Sequence, residues 1–556
     1  MFFLMSFYLM MMSLMSWLLS MNFMLMKIKL ITMWTILNCN SMKIEYVIFL
    51  DWMSFLFIST VLMISSMVIL YSIEYMSHDF FKPRFMWLIV IFVMSMILMI
   101  ISMNLFSILL GWDGLGLSSY CLVAYYQTKK SFNSSMITIL MNRIGDIMIL
   151  MSIGLMMYMG SFNFLMFNKL NLMIMYLIFI ASITKSAQIP FSTWLPLAMT
   201  APTPISSLVH SSTLVTAGVY LMIRFNHLMN KNLMYMMFFI STLTMFIAGI
   251  SANFEYDLKK IIALSTLSQL GLMMMTISLN IPLMSFFHLI THAMFKSLLF
   301  LCSGIIIHNY FNNQDIRFIS ILNLNFPFIN STFNIATLTL CGMPFLTGFY
   351  SKDLIIEMFN MTTNNYIMLT LMYLSMGLTV SYSFRLIYYS SIKMPKMNLM
   401  IMYNSSNLMN YSILILLIMS IFYGSVLNWL MFSSLNKIFL PKSLKLMIFI
   451  IMIMMMFLSM IITNNKSHNM KIIKYIYKFM NMMWFIPLLD KKIKMNMMIF
   501  NNKLNYINDL GWMEQLSSKK IIFNIMYMFK LKNINKMNLM LIMMSLCYML
   551  MWMLYT

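Results

Sequence analysis

The sequence predicts an all-α polytopic membrane protein with about 15 transmembrane helices. Two counts and one pattern predict it. Of 556 residues, 62% are apolar and only 9% are charged, whereas a soluble domain carries about 25% charged residues. A soluble core of that size would have too little polar surface to cover itself. The pattern is a succession of apolar runs of about 20 residues, the length that crosses a bilayer as a helix. A membrane barrel would show shorter, alternating segments instead. Composition therefore excludes a cytosolic enzyme, a disordered chain and a disulfide-stapled secreted domain.

The spans follow in order. Met1 to Met26 is long and lacks a small-residue cleavage site, so it reads as a helix and not as a removed signal peptide. Trp52–Tyr71, Phe85–Leu110, Leu115–Tyr126, Ser135–Met159 and Leu172–Ile183 come next. Ile205–Ile223, Leu233–Ala252, Ile261–Leu279 and Leu283–Ile307 form the middle of the chain. Thr332–Leu346, Tyr366–Ile387, Tyr411–Leu430, Leu444–Ile462 and Met537–Leu554 complete the set. The expected organisation is N-terminal spans over 1–84, one repeat over 85–252 and a second over 253–390. Additional spans over 391–463, a basic segment over 464–536 and a terminal anchor over 537–556 follow.

The formal charge of +22 is unevenly placed. Residues 464–536 hold 13 Lys against Asp490, Asp509 and Glu514, a net of +10. Apolar clusters such as Tyr475-Ile476-Tyr477 recur between these lysines. The segment reads as an amphipathic helix lying on a membrane or along neighbouring chains, interrupted near Pro487. A basic protein of this kind needs no nucleic acid to explain its charge. The five cysteines (39, 121, 302, 341 and 547) form no CxxC pair and sit beside no His at zinc spacing, so all five read as buried apolar thiols.

Ionisable groups inside spans are costly, and each is a functional candidate. Asp113 lies in the glycine-rich stretch Gly111-Trp-Asp-Gly-Leu-Gly116. Asp146 follows Arg143 by three residues, which suits either structural pairing or proton relay. Lys185 ends an apolar run that Pro190 interrupts. A broken membrane helix is tolerated only where it is buried in protein or lines a wet cavity. His210 sits among Ser211, Ser212, Thr213 and Thr216; a satisfied core histidine and a relay group both fit. His288, His292 and Lys296 stand at i, i+4 and i+8, on one helical face with about 6 Å per step. A row of groups that titrate near neutrality suits proton hopping. Metal binding by the two histidines is disfavoured, because no carboxylate is near and Lys296 repels a cation. Lys352 and Asp353 follow a second Gly/Pro interruption, Gly342 to Gly348, and Glu357 lies i+4 from Asp353. Broken helices beside Lys185 and Lys352 suggest two inverted repeats, each with one broken helix, which is the arrangement of inverted-repeat transporters.

Taken together, these segments resemble the antiporter-like subunits of respiratory complex I. The matching motifs are Gly111-Trp-Asp-Gly-Leu-Gly116, Asn142-Arg-Ile-Gly-Asp146, Lys185-Ser-Ala-Gln188 and Ala201-Pro-Thr-Pro204. Leu208-Val-His-Ser-Ser-Thr213, Asp257-Leu-Lys-Lys260, Ser265 to Gly271, Thr291-His-Ala-Met-Phe-Lys296, Asn313-Gln-Asp-Ile-Arg317 and Gly342 to Asp353 continue the series. They cover roughly residues 50–390 in order. The basic segment followed by a last span resembles the lateral helix that only one type of these subunits carries. Two departures stand out. The family usually has Glu where this chain has Asp113, and it has two spans before the one beginning at Trp52, where only one is clear here.

The resemblance implies proton transfer with no bond made to a substrate, driven by quinone reduction elsewhere in a proton-translocating NADH:ubiquinone reductase. It implies a carboxylate–lysine pair of Asp113 and Lys185 at an uptake half-channel. It implies a central relay of His288, His292 and Lys296 with His210 adjoining, and Lys352 and Asp353 at the exit. Asp257-Leu-Lys-Lys260 would be a loop element at a span end. No cofactor is expected on this chain, while the whole complex would use NADH, FMN, iron–sulfur clusters and ubiquinone. Expected partners are other membrane-arm subunits, with 464–536 contacting neighbouring antiporter-like chains, and membrane lipids such as cardiolipin. The expected location is the mitochondrial inner membrane, and the 78 Met fit an organelle genome that reads an extra codon as Met. A stand-alone cation/proton antiporter and a purely structural clamp are the competing readings.

Overall fold

The computed structural model describes the chain outside residues 40–41, 165–166, 168–170, 320–321, 363–364, 394–406, 433–437, 465–470, 510, 513–518, 531–535 and 556. It falls into two units, Met1–Trp484 and Phe485–Thr556.

The first unit is a helical bundle. Its N-terminal half comprises α1 (Phe2–Met26), α2 (Trp52–Tyr75), α3 (Lys82–Ile101), α4 (Leu105–Val123), α5 (Lys129–Met156), the shorter α6 (Leu172–Lys185) and α7 (Thr203–Arg224). There follow α8 (Lys231–Phe254), α9 (Leu258–Ser278), α10 (Pro282–Asn309), α11 (Pro327–Cys341), α12 (Thr347–Thr362) and α13 (Tyr366–Ile387). Last come α14 (Asn407–Met431), α15 (Lys442–Asn464) and α16 (Lys471–Asn481). Among the described residues, 12 helices are long and apolar enough to cross a membrane. The apolar spans at Leu172–Ile183 and Thr332–Leu346 fall on α6 and α11, which are shorter than that.

The long run Phe85–Leu110 is not one helix. It breaks at Ser102–Asn104, where the Asn104 amide donates to Ser107 Oγ at 3.3 Å and that hydroxyl donates to the Asn104 carbonyl at 2.9 Å. Ser107 thus satisfies the Asn104 amide at the start of α4, a local bond that hydropathy does not register. Asp113 therefore sits in the middle of α4. One element departs from the helical pattern, an antiparallel hairpin of β1 (Leu30–Cys39) and β2 (Met42–Leu50). Its Val47 and Phe49 pack on Met103 at the α3–α4 break. The Glu45 carbonyl accepts from Asn104 Nδ2 at 2.8 Å. An ion pair anchors the join to α2: Asp51 caps α2 through Ser54 and accepts two bonds from Arg224 at 2.6 and 2.7 Å.

The interior belongs to α7, α9 and α10, whose membrane-length cores are buried on all sides. α10 packs against α9, α11, α12 and α14 and against the middle of α7. Small residues allow the close crossings: a Cβ on Gly304 of α10 would meet the Tyr71 hydroxyl at 2.5 Å. Cys302 and Cys341 are buried as expected, whereas Cys121 and Cys547 are exposed. The side chain of Cys39 lies outside the described residues.

The basic segment forms separate helices. α16 stays with the bundle, its Tyr477 hydroxyl donating to the Phe254 carbonyl at 2.5 Å. The helix ends at residues 483–485, all with positive φ. The second unit begins there. It contains α17 (Ile486–Asp509), α18 (Lys520–Lys530) and α19 (Lys536–Tyr555). Pro487 takes the second position of α17, where its missing amide costs no helical bond.

Candidate functional site

Lys185 is the last residue of α6 and is completely buried. The chain turns directly after it through Ala187, at φ 53°, and the Thr184 carbonyl is held by the Trp194 indole N–H at 3.0 Å. The ammonium donates to the Trp112 carbonyl of α4 at 3.3 Å and lies 5.1 Å from the centre of the Trp112 ring. Gly116 of α4 faces it, and a Cβ there would make ordinary contact with Nζ at 3.8 Å. Two carboxylates act on it electrostatically, Asp146 of α5 and Asp113 of α4. Arg143 lies between them, 3.2 Å from Asp146 and 3.7 Å from Asp113. The fold thus brings Asp113, Asp146 and Lys185 into one cluster. Arg143 is 44% exposed on the outer side of the cluster.

His210 sits in a π-helical stretch, Ser206–Thr213, inside α7. Its ring is buried, with Trp194 at 6.2 Å between centroids, and neither ring nitrogen has a protein partner among the described residues. The surrounding hydroxyls donate to backbone. Ser212 and Thr213 bond the Leu208 carbonyl at 3.0 and 2.7 Å, Thr216 bonds Ser212 at 2.8 Å, and Ser211 bonds the Ser207 carbonyl. Their oxygens remain able to accept a proton-bearing donor.

His288, His292 and Lys296 line one face of α10, as the spacing requires. The two imidazoles are 6.2 Å apart by centroid. Lys296 donates to Ser265 Oγ of α9. His288 Nδ1 is 3.0 Å from Ser351 Oγ of α12, a contact whose direction depends on the tautomer. His292 packs edge-on to Phe295 at 5.5 Å, and its nitrogens have no protein partner among the described residues. Ser351 immediately precedes Lys352 in the chain. Lys352 donates to the Leu340 carbonyl at 3.1 Å and to Thr379 Oγ1 of α13 at 2.9 Å. Gly342, at φ 88°, makes the turn that ends α11 beside it. Lys352 and Asp353 line a cavity of about 20 Å³ with Cys341 and Tyr373, room for about one water.

Sequence reading missed the partners that tie these groups together. Ser351, Thr379 and the Trp112 carbonyl carried no mark of their own. Tyr382, 3.4 Å from Ser268, stands one helical turn after Thr379 on α13 and beside Ser265, so α13 borders both Lys296 and Lys352. Periodicity could have flagged the i, i+3 pair of Thr379 and Tyr382. Among the described residues no cluster of three His, Cys, Asp or Glu could hold a metal.

Comparison with known proteins gives one pattern along the whole chain. Residues 34–86 match the family described as NADH-ubiquinone oxidoreductase (complex I), chain 5 N-terminus. Residues 102–379 match NADH:quinone oxidoreductase/Mrp antiporter, transmembrane, and 382–556 match NADH dehydrogenase subunit 5 C-terminus. NADH-ubiquinone oxidoreductase chain 5 of Anopheles gambiae is 48% identical over 531 residues, covering 93% of this chain and 92% of that protein. The Aedes aegypti protein of the same name is 48% identical over 515 residues, 90% and 89% of the two chains. A chain in the Mrp complex structure from Dietzia sp. DQ12-45-1b has the same fold, with a TM-score of 0.73 at 20% identity over 88% of this chain and 56% of that one.

Proposed function

The chain belongs to the NADH-ubiquinone oxidoreductase chain 5 family, and from that premise we propose how its buried residues move protons. It is a proton-translocating membrane-arm subunit of complex I, in the mitochondrial inner membrane. The observation that supports the residue roles most strongly is the contact of His288 Nδ1 with Ser351 Oγ at 3.0 Å, which brings the histidine row against the residue next in the chain to the last buried lysine.

Asp113, Asp146 and Lys185 form the uptake group. The buried ammonium beside two carboxylates holds a charge that moves when either carboxylate changes protonation. Lys296, His292 and His288 form the central relay, with His210 adjoining it. Lys352 and Asp353 form the exit group, and their small cavity holds the water that takes the proton away. Each step breaks one N–H or O–H bond and makes another, so no covalent intermediate arises. Like charges along one row repel, so loading one group favours unloading the next. Quinone reduction elsewhere in the complex shifts charge along the row. NADH, FMN, the iron–sulfur clusters and ubiquinone are held by other subunits. The basic helices of 464–536 contact neighbouring antiporter-like chains and anionic lipid such as cardiolipin.

The test is the number of protons pumped per NADH by complex carrying Lys296→Ala. A fall in pumping is expected. Unchanged pumping with unchanged quinone reduction contradicts the relay. The Mrp likeness is one of fold, and a stand-alone antiporter would instead exchange sodium for protons as an isolated chain.

A further inference from the structure

Asp257-Leu-Lys-Lys260 is not a loop. Asp257 precedes α9, and both lysines lie in its first turn. They have opposite surroundings. Lys260 is half-exposed and pairs with Asp257 at 2.6 Å. Lys259 is 6% exposed, and the partner its ammonium finds is a neutral one, the Ala201 carbonyl at 3.2 Å. No carboxylate pairs with it among the described residues. The first turn of a helix carries partial positive charge from its free amides, which further disfavours a cation. An ammonium buried with one neutral acceptor costs several kcal/mol that an apolar side chain would avoid. Packing supplies no reason for a lysine here, and intramembrane cations of this kind mark ion pathways.

The surroundings supply the direction. Lys259 is one residue from the half-exposed Lys260, so its end of α9 is the open one. Its acceptor, Ala201, lies two residues before α7. The first turn of α7 carries Thr203, and the π segment that follows carries Ser206, Ser207 and His210. The Lys259–Ala201 bond places the starts of α7 and α9 side by side. His210 then lies about 10 Å deeper along α7, at about 1.5 Å per residue. On α9, Thr266 follows Lys259 by two turns on the same face. His210 is buried and both its ring nitrogens lack a protein partner among the described residues, so a proton arriving from the Lys259 side can be accepted there.

We propose that Lys259 is a proton-loading residue that passes protons from the membrane surface toward His210. It takes a proton from water at the mouth of α9. An Nζ–H bond then breaks and an imidazole N–H bond forms, with the hydroxyls of residues 203–213 carrying the proton between them. Lys259 is left neutral and reloads from solvent. The proposal rests on the proton-translocating reading above and adds a port to it.

The experiment uses intact complex in vesicles with an entrapped pH dye and compares Lys259→Met, Lys259→Arg, Lys260→Met and Lys296→Ala. Arginine keeps the charge and a donor for the Ala201 carbonyl, but it does not release a proton. Expected is a fall of about 100-fold or more in proton uptake for both Lys259 variants, the scale of losing a positioned proton-transfer group, with Lys260→Met unchanged. Full uptake in Lys259→Arg overturns the proposal, because charge and hydrogen bonding alone then suffice. Should Lys259→Met fail to assemble, the arginine variant decides. If Lys296→Ala blocks pumping while Lys259→Arg pumps normally, the port alone fails. If Lys296→Ala also pumps normally, the relay itself fails.

Discussion

Gly145→Ala tests the carboxylate–lysine cluster without touching a charge. Gly145 precedes Asp146 on α5, and Thr184 precedes Lys185 on α6. An added Cβ would sit 2.4 Å from Thr184 Oγ1 and 3.5 Å from the Ala181 carbonyl. Ordinary contact needs about 3.5 Å, so the helices must part by about 1 Å. That movement separates Asp146 from Lys185. Asp146 acts on Lys185 from beyond direct ion-pair range. For charges about 5 Å apart at an effective dielectric near 20, one more ångström costs about 0.6 kcal/mol, or about 2.5-fold in the interaction equilibrium. Overpacking adds about 1–3 kcal/mol to the cost of folding. The assay is protons pumped per NADH in reconstituted complex, with pumping expected to fall about 2.5-fold. Two controls isolate the cause. Gly154 lies on the same helix, and a Cβ there meets nothing within 4 Å, so Gly154→Ala should leave pumping unchanged. Thr184→Ala removes the clashing hydroxyl and should restore Gly145→Ala. If Gly145→Ala pumps like Gly154→Ala, or Thr184→Ala fails to restore it, helix spacing does not set the Asp146–Lys185 interaction.

Two further outcomes concern the frame around the path. Asp51→Ala leaves Arg224 buried and unpaired and removes the cap of α2, and it should destabilise by about 3–5 kcal/mol; denaturant unfolding within 0.5 kcal/mol of the native chain would remove the ion pair from the account. Asp315 lies outside the spans. Burial raises its carboxyl, but Arg317, at 2.5 Å, more than offsets this and holds it below the ordinary carboxylate range. A lowered folded pKa stabilises above the unfolded value of about 3.9, and the contribution is lost as pH falls through the folded value. Protection of the Leu258 and Ile316 amides, which bond Gln314 and Tyr256 across this join, should fall in that acid range and become pH-independent in Arg317→Met.

How much was legible in the sequence depended on the range over which each feature is set. The face of His288, His292 and Lys296 follows from helical period alone, and the structure keeps it. Apolar run length located most spans. It failed at Phe85–Leu110, where an unbroken apolar run hides a turn fixed by the Asn104–Ser107 cap. It also passed over residues 30–50, whose hairpin is set by cross-strand pairing and by burial of Val47 and Phe49 against Met103. Partners distant along the chain were invisible. Ser351 lies 63 residues from His288, and only the packing of α10 on α12 brings them together. The tandem lysines show the same limit: one sequence motif gives Lys260 an ion pair at the surface and Lys259 a buried carbonyl, and nothing local distinguishes them.

The central claim is that protons cross this chain on Lys185, Lys296 and Lys352. The most direct measurement is a density map of the intact complex fine enough to place water around these three ammonium groups. The account predicts ordered water at each, joined along His292 and His288 and reaching the cavity beside Asp353. A dry, fully packed surround at all three lysines would contradict it.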